Sequence, residues 1–580
     1  MGTAYTTEKN TQILISLMKK HGVKKIVVSP GATNICFVAS VQYDPFFELY
    51  SAVDERSAAY IACGLAEESG EPVALSCTGA TASRNYIPGL TEAYYRKLPV
   101  LAITSTQLTG RIGHNIPQVI DRSVSMNDIK RLSIELPEVY NAETEWSCCV
   151  KVNEALLELH HQGGGPVHIN LITTYSGDFS CLELPDVRLI NRIESYQEMP
   201  AIEGKKIAIF VGSHRKWSEN LIYQVDRFCE KYNAVVIVDH TSNYEGQYGV
   251  LANLVSNQEC YIADCRKMDL LIHIGNMSGA YINIYPKRVW RVCPDGKICD
   301  TFKKLEYVFE MEEESFFEQY NNREAHIEQE MNYAEEWKNE RKELLKKIPE
   351  LPFSNLWIAQ KLSEHIPDHS VVHFGILNSL RSWNIFDLPK TVRCYSNTGG
   401  FGIDGCVSSL LGASLHNRDK LYFGFVGDLA FFYDMNSIGN RALGANLRLL
   451  IVNNGKGAEF RNYNHFGSRF GQQADLFIAA AGHYGNKSHM LIKHYAEDLG
   501  FLYLTASTKE EFFKSMECFA SNNGQEKPII FEVFTSSEDE SEALRLVSRI
   551  GEVDKSSVAK KVVKGILGDR GVEIVKKIIR

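Results

Sequence analysis

Two pairs of polar residues stand at the ends of apolar segments in the last third of the chain. Gly427 and Asp428 follow the segment LYFGFV, and Asn453 and Asn454 follow LRLLIV. Both segments are typical of buried parallel strands, whose carboxyl ends lie at one edge of a sheet, so these side chains are expected to meet. An Asp carboxylate, an Asn carbonyl oxygen and the backbone carbonyl of Lys456 form an oxygen set that Mg²⁺ accepts when phosphate oxygens complete its octahedron. The spacing therefore predicts a site for magnesium and a diphosphate.

Each pair alone has a simpler explanation, because Gly-Asp is common in turns and Asn-Asn-Gly in turns or hairpins. A glycine-rich loop in the same region favours the functional interpretation. Thr398, Gly399 and Gly400 follow the strand-like VRCY and precede the helix-like GIDGCVSSLLGASL. Backbone N–H groups in such a loop can cradle a phosphate at the start of a helix. We therefore expect this loop to bind the same diphosphate.

A single acid stands out near the amino terminus. Glu55 opens an apolar-faced helix in AVDERSAAYIACGLAEESG, directly after the strand-like FELYSAV. An acid in the first turn of a helix is often only a solvated side chain that the helix dipole favours. A second loop and helix, SCTGATASRNYIPGL, follows on the same predicted sheet. Its position beside this second loop and helix makes Glu55 a candidate for catalysis.

The elements that must position these residues form three α/β series. Short Val/Ile-rich segments alternate with helix-length segments, which indicates parallel sheets covered on both faces. A charged stretch dense in Glu and Lys separates the second series from the third and is interpreted as a solvated linker. The last residues alternate Lys with Val and Ile at helical spacing, which predicts an amphipathic helix with a basic face. The predicted division is an α/β domain at 1–185, a second at 186–310, a helical linker at 311–350, a third α/β domain at 351–545 and a helical tail at 546–580.

Composition excludes several classes of protein. The formal net charge over the 580 residues is −9, and no large basic block is present, which argues against nucleic acid as a partner. No segment reaches the roughly 18 apolar residues of a membrane span, and the amino terminus lacks the pattern of a signal peptide. We therefore expect a cytoplasmic protein without a membrane partner.

The segments around Glu55 resemble a known family. DERSAAYIACGLAEESGEPVALSCTGATASRNYIPGL resembles the pyrimidine-binding domain of thiamine-diphosphate enzymes, and the GD…NN pair resembles their diphosphate signature. The resemblance spans the chain in the order pyrimidine-binding, central and diphosphate-binding domain. YSNTGGFGIDG and VGDLAFFYDMNS most resemble the branch of SEPHCHC synthases, which join 2-oxoglutarate to isochorismate. Leu429, where most of the superfamily has Gly or Ala, is a departure shared with that branch.

The resemblance implies roles for individual residues. Glu55 would hydrogen-bond the N1′ atom of the cofactor's aminopyrimidine, and Ile403 would support the bent shape of the cofactor. Gln118 would face the reactive carbon, and Ser379 would lie in the pocket wall. The cofactor supplies the reactive groups, and the protein binds and orients the cofactor and the substrate. Thiamine diphosphate and Mg²⁺ are thus the expected cofactors, in a homodimer or homotetramer with sites at the subunit interface.

The resemblance fails at the arginines that bind the substrates of SEPHCHC synthases. Those positions fall on Thr33, Gln107, Trp383 and Thr398. Bidentate guanidinium pairs bind carboxylates strongly and orient them, so their loss removes the basis for binding both dicarboxylate substrates. We expect changed substrates with unchanged cofactor chemistry, and Thr33 and Trp383 in the new substrate pocket.

Further candidates for the site rest on position alone. His114, four residues before Gln118, is a candidate general acid or base, against the alternative of an ordinary surface histidine. Arg84, Lys456 and Arg461 are the cationic side chains nearest to the motifs in sequence. Each could hold a carboxylate or a phosphate of the substrate.

The leading hypothesis is a decarboxylating carboligase that transfers the acyl unit of a 2-oxo acid, for example pyruvate, to a carbonyl or alkene acceptor such as a keto-sugar. Two alternatives remain open. A non-oxidative 2-oxo acid decarboxylase would form its product without an acceptor. A catalytically dead cofactor-binding protein would release no CO₂ from any 2-oxo acid.

Replacement of Glu55 tests its catalytic role. Glu55→Gln is expected to keep the fold and most of the cofactor affinity but to lose roughly 10²–10⁴ in turnover, the usual size of a general acid–base contribution. The measurements are turnover with a 2-oxo acid, thiamine diphosphate affinity and far-UV circular dichroism. Turnover near the wild-type value would show that Glu55 is only a surface acid of its helix.

Overall fold

The computed structural model describes residues 4–122, 125–214, 217–324, 332–483, 485, 487–521 and 526–550. The chain divides into two compact units. Unit 1 comprises Met1–Glu198 and Asp295–Glu310, and unit 2 comprises Met199–Pro294 and Met311–Arg580. Parallel strands covered by helices build both units, which confirms the predicted α/β class with parallel sheets.

Unit 1 contains a six-stranded parallel sheet. Its strands are β1 (Lys25–Val28), β2 (Glu48–Ser51), β3 (Val73–Thr78), β4 (Val100–Thr106), β5 (Leu132–Leu136) and β6 (Val167–Ile172). Its helices are α1 (Lys9–Lys20), α2 (Ile35–Val41), α3 (Glu55–Ser69), α4 (Thr81–Asn85), α5 (Ile87–Tyr95) and α6 (Ala142–Glu158). The strand order β2-β1-β3-β4-β6-β5 leaves β2 and β5 at the edges.

The central strands of this sheet are buried on both faces. All residues of β4 and nearly all of β3 are buried, because one apolar cluster covers each face. This two-sided burial explains why the segments are continuous apolar runs rather than alternating ones. Helix α3 begins sharply because the Asp54 carboxylate accepts a hydrogen bond from the Ser57 N–H, and it ends at Gly70, whose φ is +66°.

Unit 2 begins with a second parallel sheet. Its strands are β8 (Ile207–Val211), β9 (Ala234–Val238), β10 (Gly249–Leu251), β11 (Lys267–Ile274) and β12 (Tyr285–Val292), in the order β10-β9-β8-β11-β12. The accompanying helices are α7 (Glu219–Tyr232) and α8 (Asn253–Ser256). In unit 1, β7 (Asn191–Glu194) and β13 (Leu305–Glu310) pair in parallel.

The interpretation of residues 311–350 as a solvated linker differs from the structure. This stretch forms α9 (Glu313–Asn321) and α10 (Tyr333–Lys346). Phe316, Phe317 and Trp337 are each 0% exposed. The charges of the segment occupy only the outer face, and its aromatic side chains complete the core around α7. The high density of charged residues therefore led to the wrong interpretation of two amphipathic helices as a solvated linker.

The remainder of unit 2 is the third parallel sheet, in the order β15-β14-β16-β17-β19-β18. Its strands are β14 (Val371–Phe374), β15 (Arg393–Ser396), β16 (Tyr422–Gly427), β17 (Leu447–Asn453), β18 (Leu502–Ala506) and β19 (Ile529–Phe534). Its helices are α11 (Asn355–Leu362), α12 (Asn378–Trp383), α13 (Cys406–His416), α14 (Asp428–Asp434), α15 (Ala474–Phe477), α16 (Leu491–Asp498), α17 (Lys509–Ala520) and α18 (Ser537–Ser548).

Two further expectations concern the end of the chain and membranes. Helix α18 ends at Ser548, and most of the predicted basic tail, residues 551–580, lies outside the described residues. Within the part of the chain that the structure describes, no helix is both long and apolar enough to cross a membrane.

Two glycines of unit 1 test how tightly α3 and α5 pack. A Cβ added at Gly89 would lie 2.4 Å from the Cβ of Ala59, whereas one added at Gly64 would meet nothing within 4 Å. Gly89→Ala should lower the thermal midpoint and cost about 1–3 kcal/mol through overpacking. Gly64→Ala, the matched control, should leave the midpoint unchanged or raise it, since alanine favours helix by about 0.4–1 kcal/mol. The thermal midpoints are measured by circular dichroism. Equal midpoints for the two variants would contradict this packing.

Candidate active site

The carboxyl edge of the third sheet brings the two predicted pairs together. Strand β16 ends at Gly427, α14 begins at Asp428, and Gly427 lies opposite Val452 of the neighbouring β17. The Asp428 carboxylate accepts a hydrogen bond from the Gly455 N–H at 3.0 Å. The acid and the Asn-Asn-Gly turn therefore form one structural feature, as the parallel arrangement of the strands requires.

The Asp428 carboxylate is buried without a cation. The residue is only 2% exposed. Burial raises the pKa of Asp428 to about 7, which hydrogen bonds from the backbone N–H groups of Leu429 and Gly455 only partly oppose. Asp428 forms no ion pair within the described residues. A buried carboxylate in this state is stabilised by any cation that binds beside it.

Asn454 supplies a second unused oxygen at this edge. Its side-chain Oδ1 is buried and has no hydrogen-bond partner among the described residues. The adjacent Asn453 is fully engaged, because its Nδ2 donates to the Glu532 carboxylate at 2.6 Å and its Oδ1 accepts from the Gly455 N–H at 3.2 Å. A buried acceptor without a donor is costly unless a ligand fills the role.

These oxygens fit a magnesium ion with a diphosphate. One anionic and one neutral oxygen donor are a partial set for a hard divalent ion, which takes its other ligands from phosphate and water. Across the ranges that the structure describes, no group of three or more His, Cys, Asp or Glu side chains could hold a metal by itself. The arrangement therefore suits a metal that arrives with a phosphorylated ligand.

The cationic side chains nearest to this edge are paired with an acid. The Asp475 carboxylate accepts from Lys456 Nζ at 3.0 Å and from Arg461 Nη1 at 2.6 Å. Arg461 Nη1 also donates to the Gly471 carbonyl at 2.6 Å. Lys456 and Arg461, both predicted to contact substrate or phosphate, are thus held by an acid that the motifs did not indicate.

The glycine-rich loop differs in one respect from the expectation. Helix α13 begins only at Cys406, so Gly399 and Gly400 precede its first turn by several residues. A Cβ at either glycine would meet nothing within 4 Å, so the loop backbone is open to a ligand. Thr398 is 5% exposed and its Oγ1 donates to Ser213 Oγ at 3.3 Å. Ile403 is half-buried and packs against the apolar core of this sheet.

Helix α12 carries two predicted substrate residues, and neither is freely accessible. Ser379 is buried, and its hydroxyl accepts from Asn355 Nδ2 at 3.4 Å. Trp383 is 0% exposed, and its ring stacks on Phe425 of β16 with centroids 3.8 Å apart. The expectation that Trp383 lies in the substrate pocket therefore needs correction, because the helix turns this side chain into the core.

In unit 1, Glu55 is the first residue of α3 and is half-buried. Its Oε2 accepts a hydrogen bond from Asn85 Nδ2 at 3.1 Å. Asn85 ends α4, which follows β3 of the same sheet, so the sheet holds the amide beside the acid. Sequence reasoning missed Asn85, although it lies within the quoted segment SCTGATASRNYIPGL.

Thr33 and Gln107 bind protein groups in this structure. Thr33 is 2% exposed, donates to the Ser105 carbonyl at 2.7 Å and accepts from the Gly79 N–H at 3.2 Å. It therefore ties strand ends together, which corrects its expected place in the substrate pocket. Gln107 Oε1 accepts a short hydrogen bond from Arg111 Nη1. The guanidinium of Arg111 thus lies beside Gln107, although the sequence motifs did not indicate Arg111.

The loop that follows contains the remaining candidates. His114 and Gln118 are both exposed, and neither side chain has a hydrogen-bond partner among the described residues. Gln118 has a φ of +65°, a conformation that non-glycine residues adopt rarely and often at functional sites. Arg84, at the end of α4, donates from Nη2 to the Asp121 carbonyl at 3.2 Å.

Comparisons with known proteins identify a matching family model and full-length relatives. The family model "Thiamine pyrophosphate enzyme, N-terminal TPP binding domain" matches residues 9–126, which include Glu55. The 2-succinyl-5-enolpyruvyl-6-hydroxy-3-cyclohexene-1-carboxylate synthase of Bacteroides fragilis is 31% identical over 570 residues, with 93% of this chain and 98% of the relative covered. The enzyme of that name from Phocaeicola vulgatus is 31% identical over 571 residues at the same coverage.

A solved structure, the thiamine diphosphate-dependent 4-hydroxybenzoylformate decarboxylase of Rhodococcus jostii, is 15% identical and covers 91% of this chain and 99% of its own. Its TM-score is 0.38, which is too low to support a conclusion about the fold. The full-length relatives decide the assignment. By identity and coverage, the chain belongs to the family of 2-succinyl-5-enolpyruvyl-6-hydroxy-3-cyclohexene-1-carboxylate synthases, within the thiamine-diphosphate-dependent enzymes.

Proposed function

We propose that this enzyme is a magnesium-dependent decarboxylating carboligase that transfers the acyl unit of a 2-oxo acid to a carbonyl or alkene acceptor. One observation carries the proposal. Asp428 and Asn454 present a buried carboxylate and a buried, unpartnered amide oxygen at one strand edge. A protein that used this edge only for structure would leave both groups at a considerable cost in free energy.

In this proposal, Asp428, the Asn454 side chain and the Lys456 backbone carbonyl hold Mg²⁺. The loop with Thr398, Gly399 and Gly400 lies against the diphosphate. Thiamine diphosphate supplies a carbon nucleophile and an electron sink for decarboxylation. The protein's part is to place and orient these groups.

Glu55 acts on the aminopyrimidine ring in this proposal. Its carboxylate holds a proton at N1′, and a charge-assisted hydrogen bond of this kind contributes about 1.5–3 kcal/mol. The hydrogen bond from Asn85 fixes one carboxylate oxygen and leaves the other for the ring. Asn85 is therefore a positioning residue for Glu55. Gln118 and His114 are exposed on one loop, where they can reach a substrate or exchange a proton with it.

The donor and acceptor are proposed to differ from those of the named relatives. Two of the four positions without arginine, Thr33 and Trp383, are taken up by internal contacts. The cations Lys456 and Arg461 both form ion pairs with Asp475. A site with so few free cations favours a small donor with one carboxylate, such as pyruvate, and a less charged acceptor, such as a keto-sugar.

We propose a homodimer or homotetramer, with each site completed by two subunits. Helix α3, which begins at Glu55, exposes two large apolar side chains. Tyr60 is 48% exposed and Ile61 is 43% exposed. Adjacent exposed apolar side chains on a helix that carries a catalytic acid are consistent with cover by a second copy.

Asp428→Ala tests the metal site. We expect the wild-type protein to bind thiamine diphosphate only with Mg²⁺ or a similar divalent ion. The variant should lose binding by more than about tenfold, because one charged interaction contributes at least about 1.5 kcal/mol. Isothermal titration with and without Mg²⁺ measures this. Asp419→Ala, at an exposed acid outside the site, is the matched control. Metal-independent binding at equal affinity would overturn the assignment.

A substrate panel tests the reaction. Pyruvate with aldehydes, ketones and keto-sugars is expected to give carboligation products, identified by mass. 2-Oxoglutarate with isochorismate is expected to react at least roughly a hundredfold less efficiently, since two lost charged hydrogen bonds of about 1.5 kcal/mol each suffice for that factor. Efficient formation of the relatives' 2-succinyl product would refute the change of substrate. An aldehyde formed equally well without acceptor would identify a simple decarboxylase, and no CO₂ from any 2-oxo acid would identify an inactive protein.

A further inference from the structure

Unit 1 contains a cavity of about 440 Å³ that the proposed chemistry does not use. Helices α4 and α5 and residues 125–130 surround it. Three of its lining side chains are cationic: Arg84, Arg122 and Lys130. Much of the remaining wall is apolar and includes Ile87, Leu90 and Ile129. We refer to it as the basic cavity.

The three cations of the basic cavity bind only neutral acceptors. Arg122 Nη1 donates to Thr104 Oγ1 at 2.7 Å, and its Nη2 donates to the Asn170 side chain. Lys130 Nζ donates to the Met126 carbonyl at 2.9 Å, and Arg84 donates to a carbonyl as described above. Within the described residues, none of the three forms an ion pair with a carboxylate. Most of their N–H donors therefore remain available to a ligand.

The charges of these cations lower the pKa values of side chains in the cavity wall. The pKa of Arg122 is lowered, first by burial and then by the like charge of Arg84. Burial, followed by the charges of Arg122 and Lys130, lowers the pKa of His168 to about 3. The His168 ring, hydrogen-bonded to Thr104 and Ser133, is therefore neutral at physiological pH. The Glu135 carboxylate, which accepts a hydrogen bond from Asn170 Nδ2 at 3.3 Å, opposes the lowering of the Arg122 pKa, but within the described residues it forms no ion pair with any of the three cations.

We propose that the basic cavity binds a carboxylate that carries a compact apolar body. A planar guanidinium matches a carboxylate with two parallel hydrogen bonds, which makes the two arginines the anchor for the charged end. The apolar side chains of α5 face the rest of the ligand. The volume lies within the range of small-molecule sites. A free inorganic anion would satisfy the cations but leave the apolar wall unused.

Part of the lining of the basic cavity belongs to the segment SCTGATASRNYIPGL, but the proposed function assigns none of the lining residues to the cofactor. Arg84 directly precedes Asn85, whose amide contacts the Glu55 carboxylate. Both Glu55 and Arg122 act electrostatically on the buried thiol of Cys77. Binding in the cavity is measured without turnover, so a negative result there would leave the proposed reaction untouched.

The experiment titrates the full chain, with thiamine diphosphate and Mg²⁺ present, with four probes. Benzoate and cyclohexanecarboxylate are the apolar carboxylates, benzamide is the neutral isostere of benzoate, and inorganic phosphate is the anion without an apolar body. Isothermal titration should show binding of both carboxylates at least about tenfold tighter than binding of benzamide and of phosphate. Equal affinity for benzamide, tighter binding of phosphate, or no binding of either carboxylate would overturn the proposal.

Variants locate the binding. Arg122→Gln and Arg84→Gln should each weaken benzoate binding by about 10- to 100-fold, the effect of one charged hydrogen bond. Arg96→Gln is the matched control, because this arginine pairs with Glu67 and Glu92 outside the cavity and should leave affinity unchanged. Ile87→Trp should abolish binding by filling the space. Because Arg122 is partly structural, Arg84→Gln and Ile87→Trp decide the matter if Arg122→Gln fails to fold. Unchanged benzoate affinity in both would refute the site.

Discussion

The buried carboxylate of Asp428 is the constraint around which the third sheet is organised. An isolated buried carboxylate is unstable, and the protein relieves it only with backbone N–H groups, while its pKa rises to about 7. The parallel pairing of β16 with β17 places the Asn-Asn-Gly turn at the same edge. Glu532 of β19 accepts a hydrogen bond from the Asn453 side chain. The side-chain oxygen of Asn454 has no partner among the described residues. Three adjacent strands thus maintain the buried carboxylate and the buried amide oxygen to which we assign the metal in our proposal.

Charge is distributed differently in the two units. At the diphosphate edge of unit 2, Asp475 holds both Lys456 and Arg461, so little free positive charge remains for a substrate. In unit 1, Arg84 and Arg122 bind neutral oxygens and keep their charge available. Paired cations mainly organise a loop, whereas unpaired cations beside apolar walls favour an anionic ligand. This contrast is the physical basis of our proposal that the substrates of this chain differ from those of its relatives.

The position of Glu55, the proposed catalytic acid of unit 1, depends on ordinary helix and strand geometry. The Asp54 cap fixes the start of α3, so Glu55 occupies the first turn. Strand β3 lies two strands from β2 in the sheet and delivers α4 with Asn85 to the same edge. Thr33 connects the loops that follow β1, β3 and β4 through three short contacts. A threonine at this position therefore serves the fold and has no side-chain donor left for a ligand.

The sequence alone determined the features that depend on local pattern. Apolar runs predicted the parallel strands of all three sheets, and polar residues at strand ends predicted the meeting of Asp428 with the Asn454 turn, because parallel strands end at one edge. Edge strands such as β18 escaped notice, since their partly exposed residues lack a continuous apolar run. Only the tertiary structure shows that Trp383 stacks on Phe425 and that Asp475 forms ion pairs with both Lys456 and Arg461. The burial of the aromatic residues of α9 and α10 is likewise a result of tertiary packing. Each of these outcomes depends on which distant side chain arrives as a partner, and residue spacing along the chain carries no information about that.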